Sequence, residues 1–281
     1  MAVRGRLPPG GRGFRRRARR ERHDRGPLKA ALDLGISRLD TAFNYLGFTS
    51  HTTLAEQAGD LLRHFTISTK VGFFPDRPGG HHTLNPARLR AAVEQTVRDL
   101  RRPPDLVFLH NPERSTNGEP LADACAALDD AVRAGLARAW GVSTWDPRPL
   151  LPQLDTTTPR PTVLMIRSGL LVPGPVLDAA DQLVHRWKPT DVWGMSPFNA
   201  SPHDPVWEAA RPQVFLTNPP EGCTPLRAAF RTAYALPEVS TIAVGSDNET
   251  HLRELLGTLS WGVDYGVVDR YRRLLRARSP Q

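Results

Sequence analysis

The chain contains three lysines, Lys29, Lys70 and Lys188, and every other basic residue is an arginine. Lys70 closes a short apolar run from Phe65, so an ammonium survives there against a strong coding bias toward arginine. An ammonium is a compact charge that tunes a neighbouring titratable group, which a delocalised guanidinium does less well. Other reactive side chains fall in similar places. Asp40 ends the run after Ser37, Tyr45 lies just beyond it, and His110 follows Leu106 to Leu109. An acid, a phenol, an ammonium and an imidazole, each at or just past a short apolar run, form an ordered set for proton chemistry.

The elements that must position them alternate. Strands are expected at residues 37–41, 66–70, 106–109, 138–143, 162–166, 191–195 and 240–244. Helices are expected at 27–35, 52–65, 86–100, 120–136, 147–154 and 175–187, then irregularly to 236, to about 256, and at 265–276. Regular alternation with strands of buried type implies an α/β fold with a parallel sheet inside a layer of helices. Seven such strands come close to a (β/α)8 TIM barrel, in which functional residues gather at the C-terminal ends of strands. Asp40, Lys70, His110 and Ser143 all stand at such ends.

Composition supports this class. A chain of 281 residues with 40% hydrophobic content buries a large core. No run reaches the apolar length of a membrane span, and no apolar segment follows the basic N-terminus as a secretory signal requires. Cys125 and Cys223 are far apart and read as incidental thiols of a cytoplasmic protein. His81 and His82 sit among Gly and Pro and read as a solvated loop, so no metal site is expected. The net charge of +8 resides in residues 1–25, where ten arginines face Glu21 and Asp24, and the rest of the chain is balanced. Nucleic acid is therefore not an expected partner of the body of the protein. Residues 1–26 read as a basic segment, disordered or wrongly assigned to the chain, and 27–281 as one barrel domain.

The motifs resemble those of the aldo-keto reductase superfamily. They run in family order: Leu39-Asp40-Thr41-Ala42 with Tyr45, Ser68-Thr69-Lys70, Leu109-His110-Asn111-Pro112, Gly141-Val142-Ser143, Ser196-Pro197-Phe198, and Gly245-Ser246 before a helix. The resemblance implies NAD(P)H-dependent reduction of an aldehyde or ketone, or the reverse oxidation. In that scheme Tyr45 donates the proton, Lys70 stabilises the phenolate, Asp40 orients Lys70, and His110 holds the substrate oxygen. It also implies cofactor contacts at Ser143, Thr144, Met165, Met195, Ser196, Phe198, Gly245, Ser246, Asp247, His251 and Glu254. Phe43 and Trp145, just past strand ends, are the candidate substrate walls.

Several positions depart from the family pattern. Thr144 replaces a common asparagine, Met165 a glutamine that holds the nicotinamide amide, and Met195 an aromatic residue that stacks on the ring. Asp247 stands where a basic residue often takes the NADP 2′-phosphate, which opposes the family preference for NADP and favours NAD; Arg253 is the alternative phosphate partner. The first barrel strand is atypical or missing, because Pro8 to Phe14 is neither apolar nor alternating. These departures also fit a nucleotide-binding regulatory or degenerate member with little turnover.

Overall fold

The computed structural model describes residues 25–76, 80–199 and 201–278. Apart from Arg25 and Gly26, the segment 1–26 lies outside the described residues. Arg25 caps the first helix, donates to the Ala58 carbonyl at 2.6 Å and pairs with Asp60.

Seven strands form one parallel sheet: β1 Arg38–Asp40, β2 Thr66–Val71, β3 Leu106–His110, β4 Trp140–Thr144, β5 Val163–Arg167, β6 Asp191–Met195 and β7 Thr241–Ala243. They pair in chain order, so the sheet curls into a nearly closed barrel of seven strands, as the sequence pattern implies. Nine helices surround it among the described residues: α1 Gly26–Asp33, α2 Ser50–Ala58, α3 Pro86–Leu100, α4 Leu121–Arg133, α5 Gly174–Trp187, α6 Val206–Ala210, α7 Pro225–Thr232, α8 Glu249–Gly257 and α9 Tyr265–Arg278. The expected helix at 147–154 is a single 3-10 turn, Leu151–Gln153. Pro147, Pro149 and Pro152 remove the N–H groups that a longer helix needs.

Local sequence accounts for the elements. In α3, Asn85 accepts from the Arg88 N–H at 3.1 Å, Pro86 occupies the first turn, and Leu89, Ala92, Val93, Thr96 and Leu100 are buried on one face. Along the strands the side chains alternate. Val107, Leu109, Val142, Leu164 and Ile166 pack outward with residues of the helices, whereas Leu106, Phe108, Val163, Met165 and Trp193 cluster together inside the barrel. Gly141 faces Phe108, where an added Cβ would stand 2.7 Å from the ring and 2.4 Å from the Val163 carbonyl.

The atypical first strand expected around Pro8 to Phe14 lies outside the described residues. Among the described residues, β1 and β7 are the two edges of the sheet and exchange no ladder hydrogen bonds. The Arg38 side chain spans between them, donating to Thr241 Oγ1 at 3.1 Å with its guanidinium 5.4 Å from the Trp193 ring centroid. Outside this gap Leu252 of α8 joins Leu28 and Ala31 of α1 and Leu39 of β1 in one buried cluster. The helix layer thus continues where the strands do not.

Candidate active site

Asp40 and Lys70 come from adjacent strands and form a buried ion pair. Lys70 is 2% exposed, and its ammonium bonds the Asp40 carboxylate and, at 2.9 Å, the Thr41 carbonyl. Ser68, in register with Asp40, donates to the other carboxylate oxygen at 2.8 Å. Burial of two opposite charges is tolerated because each also has a polar partner.

The Lys70 ammonium lies 5.4 Å from the centroid of the Tyr45 ring, and that ring meets His110 edge-on at 6.2 Å. Tyr45 is therefore a neighbour of both the cation and the imidazole. Its position depends on an unusual turn, in which Leu46, Gly47 and Phe48 have φ of 50°, 62° and 71°. Two successive non-glycine excursions of this kind flanking a glycine carry backbone strain, of the sort that collects at functional sites. The start of α2 holds the turn from behind. Ser50 donates to the Ala42 carbonyl at 2.6 Å, and His51 Nε2 pairs with Thr69 Oγ1 at 2.7 Å. Burial pushes the His51 imidazole down to about 4, so it is neutral at physiological pH.

His110 ends β3 on the inward face and is buried. The Phe73 ring lies 5.0 Å from it, and His82 Nε2 donates to its carbonyl at 2.8 Å. His81 and His82 were expected in a solvated loop. Instead they pair antiparallel with Phe73 and Phe74, and His82 is half-buried beside the site. The reason is Gly72 at φ 144°, where an added Cβ would stand 3.1 Å from the His110 carbonyl. The alternation of the Phe73–Phe74 pair is too short to announce a strand.

Beyond this centre the inward face continues through Ser143, in register with His110 and with Met165. The Ser143 hydroxyl approaches the Met195 sulfur at 3.8 Å. Met165 is fully buried. Thr144 points the other way, donating to Glu113 at 2.9 Å. Ser196 has φ 57° and donates to the Asn199 carbonyl, while Phe198 turns into the core against Trp207 and Phe230. Gly245 and Asp247 are exposed in the loop after β7, and His251 and Glu254 are exposed on α8. Asn248 caps α8, accepting from the Thr250 and His251 N–H groups at 2.9 and 3.3 Å, and Ser246 Oγ accepts from Asn248 N at 3.1 Å. Arg253 bonds Glu249 at 2.6 Å. Phe43 packs against Phe48 and Phe74 beside Tyr45, and Trp145 lies under the Arg167 guanidinium at 4.7 Å.

Two residues at this rim were not singled out in the sequence. Glu113 accepts from Thr144 Oγ1 and from the backbone N–H groups of Trp145 and Asp146, at 2.7 and 3.1 Å, and so fixes the start of the loop after β4. Burial raises its carboxyl above the usual range. Its position one residue after Pro112, in a turn that leaves β3 through a left-handed Asn111, was the available signal. Arg167 ends β5 on the same face as Val163 and Met165, and its charge had no partner in sequence to mark it.

Comparison with known proteins bears on the family and the fold. The model of the aldo/keto reductase family matches residues 10–156. A curated protein of Schizosaccharomyces pombe named "Putative voltage-gated potassium channel subunit beta" is 28% identical over 132 residues, a stretch that covers 44% of this chain and 36% of that protein. Among solved structures, an aldo-keto reductase from Bacillus halodurans in its holo form superposes with a TM-score of 0.71 at 19% identity, covering 89% of this chain and 86% of that one. An aldo/keto reductase from Klebsiella pneumoniae, in complex with NADP and acetate, gives 0.63 at 18% identity, covering 92% and 86%. The glycerol dehydrogenase of Gluconobacter oxydans gives 0.67 at 17%, covering 91% and 85%. These structural likenesses establish the fold, and with more than half of the sequence matched by the family model, the chain belongs to the aldo/keto reductase family.

Proposed function

We propose that this protein reduces an aldehyde or ketone to an alcohol, or runs the reverse oxidation, with a nicotinamide dinucleotide. The observation that carries the reading is the buried Asp40–Lys70 pair set against the Tyr45 ring, with His110 edge-on beyond it.

The residues divide the work. Proton donation by a phenol leaves an anion, and the Lys70 ammonium, 5.4 Å from the Tyr45 ring centroid, is the nearby counter-charge offered to it. Asp40 fixes the position of Lys70, and Ser68 and the Thr41 carbonyl keep the pair from turning. Tyr45 delivers its proton to the substrate oxygen, which His110 holds by a hydrogen bond on the opposite side. His82 and Phe73 hold His110 in place.

The residues present fit the dinucleotide in part. The inward Ser143 hydroxyl suits the nicotinamide amide, and Met195, in register with Ala243 two residues before Gly245, offers a polarizable face for the ring. A bound reduced nicotinamide supplies the hydride. Ser196, Gly245 and Ser246 line the way toward α8. The solved relatives from Klebsiella pneumoniae are complexes with NADP and NADPH. Asp247 counts against the 2′-phosphate, and Arg253 is engaged by Glu249, so the choice between NADPH and NADH is made at Asp247.

A second reading, a nucleotide-binding member with little turnover, draws on the buried Met165 in place of a polar residue and on the lack of ladder pairing between β1 and β7 among the described residues. Titrating the protein with NADPH and NADH by fluorescence, then following coenzyme consumption with a panel of simple aldehydes, separates the two. Binding with consumption supports the reductase. Binding without consumption on any aldehyde overturns it in favour of the second reading.

A further inference from the structure

Arg167 is a charge at the mouth of the barrel with no carboxylate paired to it among the described residues. It is the last residue of β5, on the inward face with Val163 and Met165, and is in register with Met195, whose sulfur touches Ser143. Its guanidinium stacks 4.7 Å from the centroid of the Trp145 ring, and one amino group donates to Asn199 Oδ1 at 3.0 Å. No ion pair to Arg167 forms among the described residues, and its buried Nε has no acceptor there. Asp146 is the acidic group that acts on it, but both oxygens of that carboxylate are held by Arg148, at 2.6 to 3.1 Å. Partial burial pulls the guanidinium below its ordinary value, with Asp146 opposing.

The surroundings hold this side chain rather than satisfy it. Trp145 fixes the plane of the guanidinium, Glu113 fixes Trp145 through its backbone N–H, and the left-handed Ser196 and Asn199 fix the carboxamide. A planar donor fork oriented by two neighbours, half-desolvated and without an ion pair among the described residues, matches the geometry of a carboxylate or a phosphate.

We infer that Arg167, seated on Trp145 and Asn199, is an oxyanion-binding position of the barrel mouth. Its ligand is an anionic group carried by the carbonyl substrate or a phosphate of the dinucleotide. The inference rests on reading the mouth as the reductase site, and it turns that reading into a preference for substrates that bear an acid group.

The test uses the whole protein and direct binding, independent of turnover. Calorimetric titrations with benzoate and with its neutral counterpart benzamide probe the substrate source, and fluorescence titrations with NADPH and NADH probe the cofactor source. Arg167→Gln keeps length and polarity but removes the charge, and Arg167→Lys keeps the charge but loses the fork. If the anion belongs to the substrate, the wild type binds benzoate at least tenfold tighter than benzamide, Arg167→Gln removes that difference, and Arg167→Lys restores part of it. If it belongs to the cofactor, Arg167→Gln weakens both dinucleotides at least tenfold for the pyrophosphate, or NADPH alone for the 2′-phosphate. An Arg167→Gln protein with the wild-type circular dichroism that binds benzoate, NADPH and NADH within twofold of wild type overturns the inference, as does a wild type that binds none of them. Should Arg167→Gln fail to fold, the same criteria apply to Arg167→Lys with a threefold threshold. A protein that binds benzoate through Arg167 but consumes no coenzyme overturns the reductase reading and leaves this one standing.

Discussion

His82 Nε2 donates to the main-chain carbonyl of His110 at 2.8 Å, so the histidine proposed to hold the substrate oxygen is braced by a second histidine from a hairpin earlier in the chain. The brace exists because Gly72 lets the hairpin come close. Gly72→Ala places a Cβ against both the His110 carbonyl and the His82 ring, at 3.1 and 3.2 Å, in a backbone conformation unfavourable for alanine. The expected cost is about 1–3 kcal/mol in chemical denaturation, with turnover falling further than stability alone explains. A variant with wild-type stability and turnover would show that the brace is irrelevant.

The ion pair gives a second expectation. Asp40→Ala leaves the Lys70 ammonium buried against one carbonyl, and loss of a partner from a buried pair costs about 3–5 kcal/mol. Lys70→Met fills most of the volume but strands the Asp40 carboxylate in turn, so a stability loss of the same order, about 3–5 kcal/mol, is expected with a loss of turnover of at least ~100-fold, in the range of general acid catalysis. Denaturant melts together with steady-state rates separate the two effects.

Glu113 offers a contrast between isosteres. One oxygen accepts two backbone N–H groups, and the other accepts from the Thr144 hydroxyl. Glu113→Gln keeps the first oxygen and presents an amide that Thr144 Oγ1 accepts from, so it is tolerated. Because burial raises the glutamate pKa, removing the charge is not itself costly. Glu113→Ala strands three donors and loses about 2–3 kcal/mol. Equal melting midpoints for the two variants would contradict this assignment.

His51 sets an acid limit. Its pKa is about 4 in the fold and near 6.5 when unfolded, so the unfolded chain binds the extra proton first as pH falls. The contribution of the neutral imidazole is complete above pH ~6.5 and is lost between that value and about 4, up to about 3 kcal/mol. His51→Gln keeps a polar partner for Thr69 and should flatten the stability profile across this window. A slope unchanged by the substitution would place the acid sensitivity elsewhere.

Asp247 provides the cofactor test. Asp247→Ser removes the negative charge nearest the proposed 2′-phosphate, and affinity for NADPH should rise about tenfold, a change of ~1.4 kcal/mol, with NADH altered less. Unchanged ratios of the two dissociation constants would exclude Asp247 from the selection.

Much of this was legible in the chain because local chemistry and global fold coincide. All seven strands lie within about two residues of the expected positions, since a strand buried on both faces reads as a continuous apolar run. Asp40, Lys70 and His110 were marked by reactive groups at the ends of such runs. What escaped depends on contacts between distant segments. His82 looked like loop because its partner strand has two residues, and Glu113 was not singled out because its three donors lie about 30 residues onward. Arg167 was one arginine among many until the barrel placed it on Trp145. The bond from Arg38 to Thr241, 203 residues away, was not anticipated, since an exposed arginine carries no sign of it.

The central claim is that Tyr45 donates the proton, and Tyr45→Phe tests it most directly. The ring is retained beside Lys70 and His110, so the variant should fold and bind NADPH or NADH as the wild type does. Coenzyme oxidation with an aldehyde that the wild type reduces should fall at least ~100-fold, as loss of a general acid requires. Wild-type turnover in a folded, coenzyme-binding Tyr45→Phe protein would contradict the assignment.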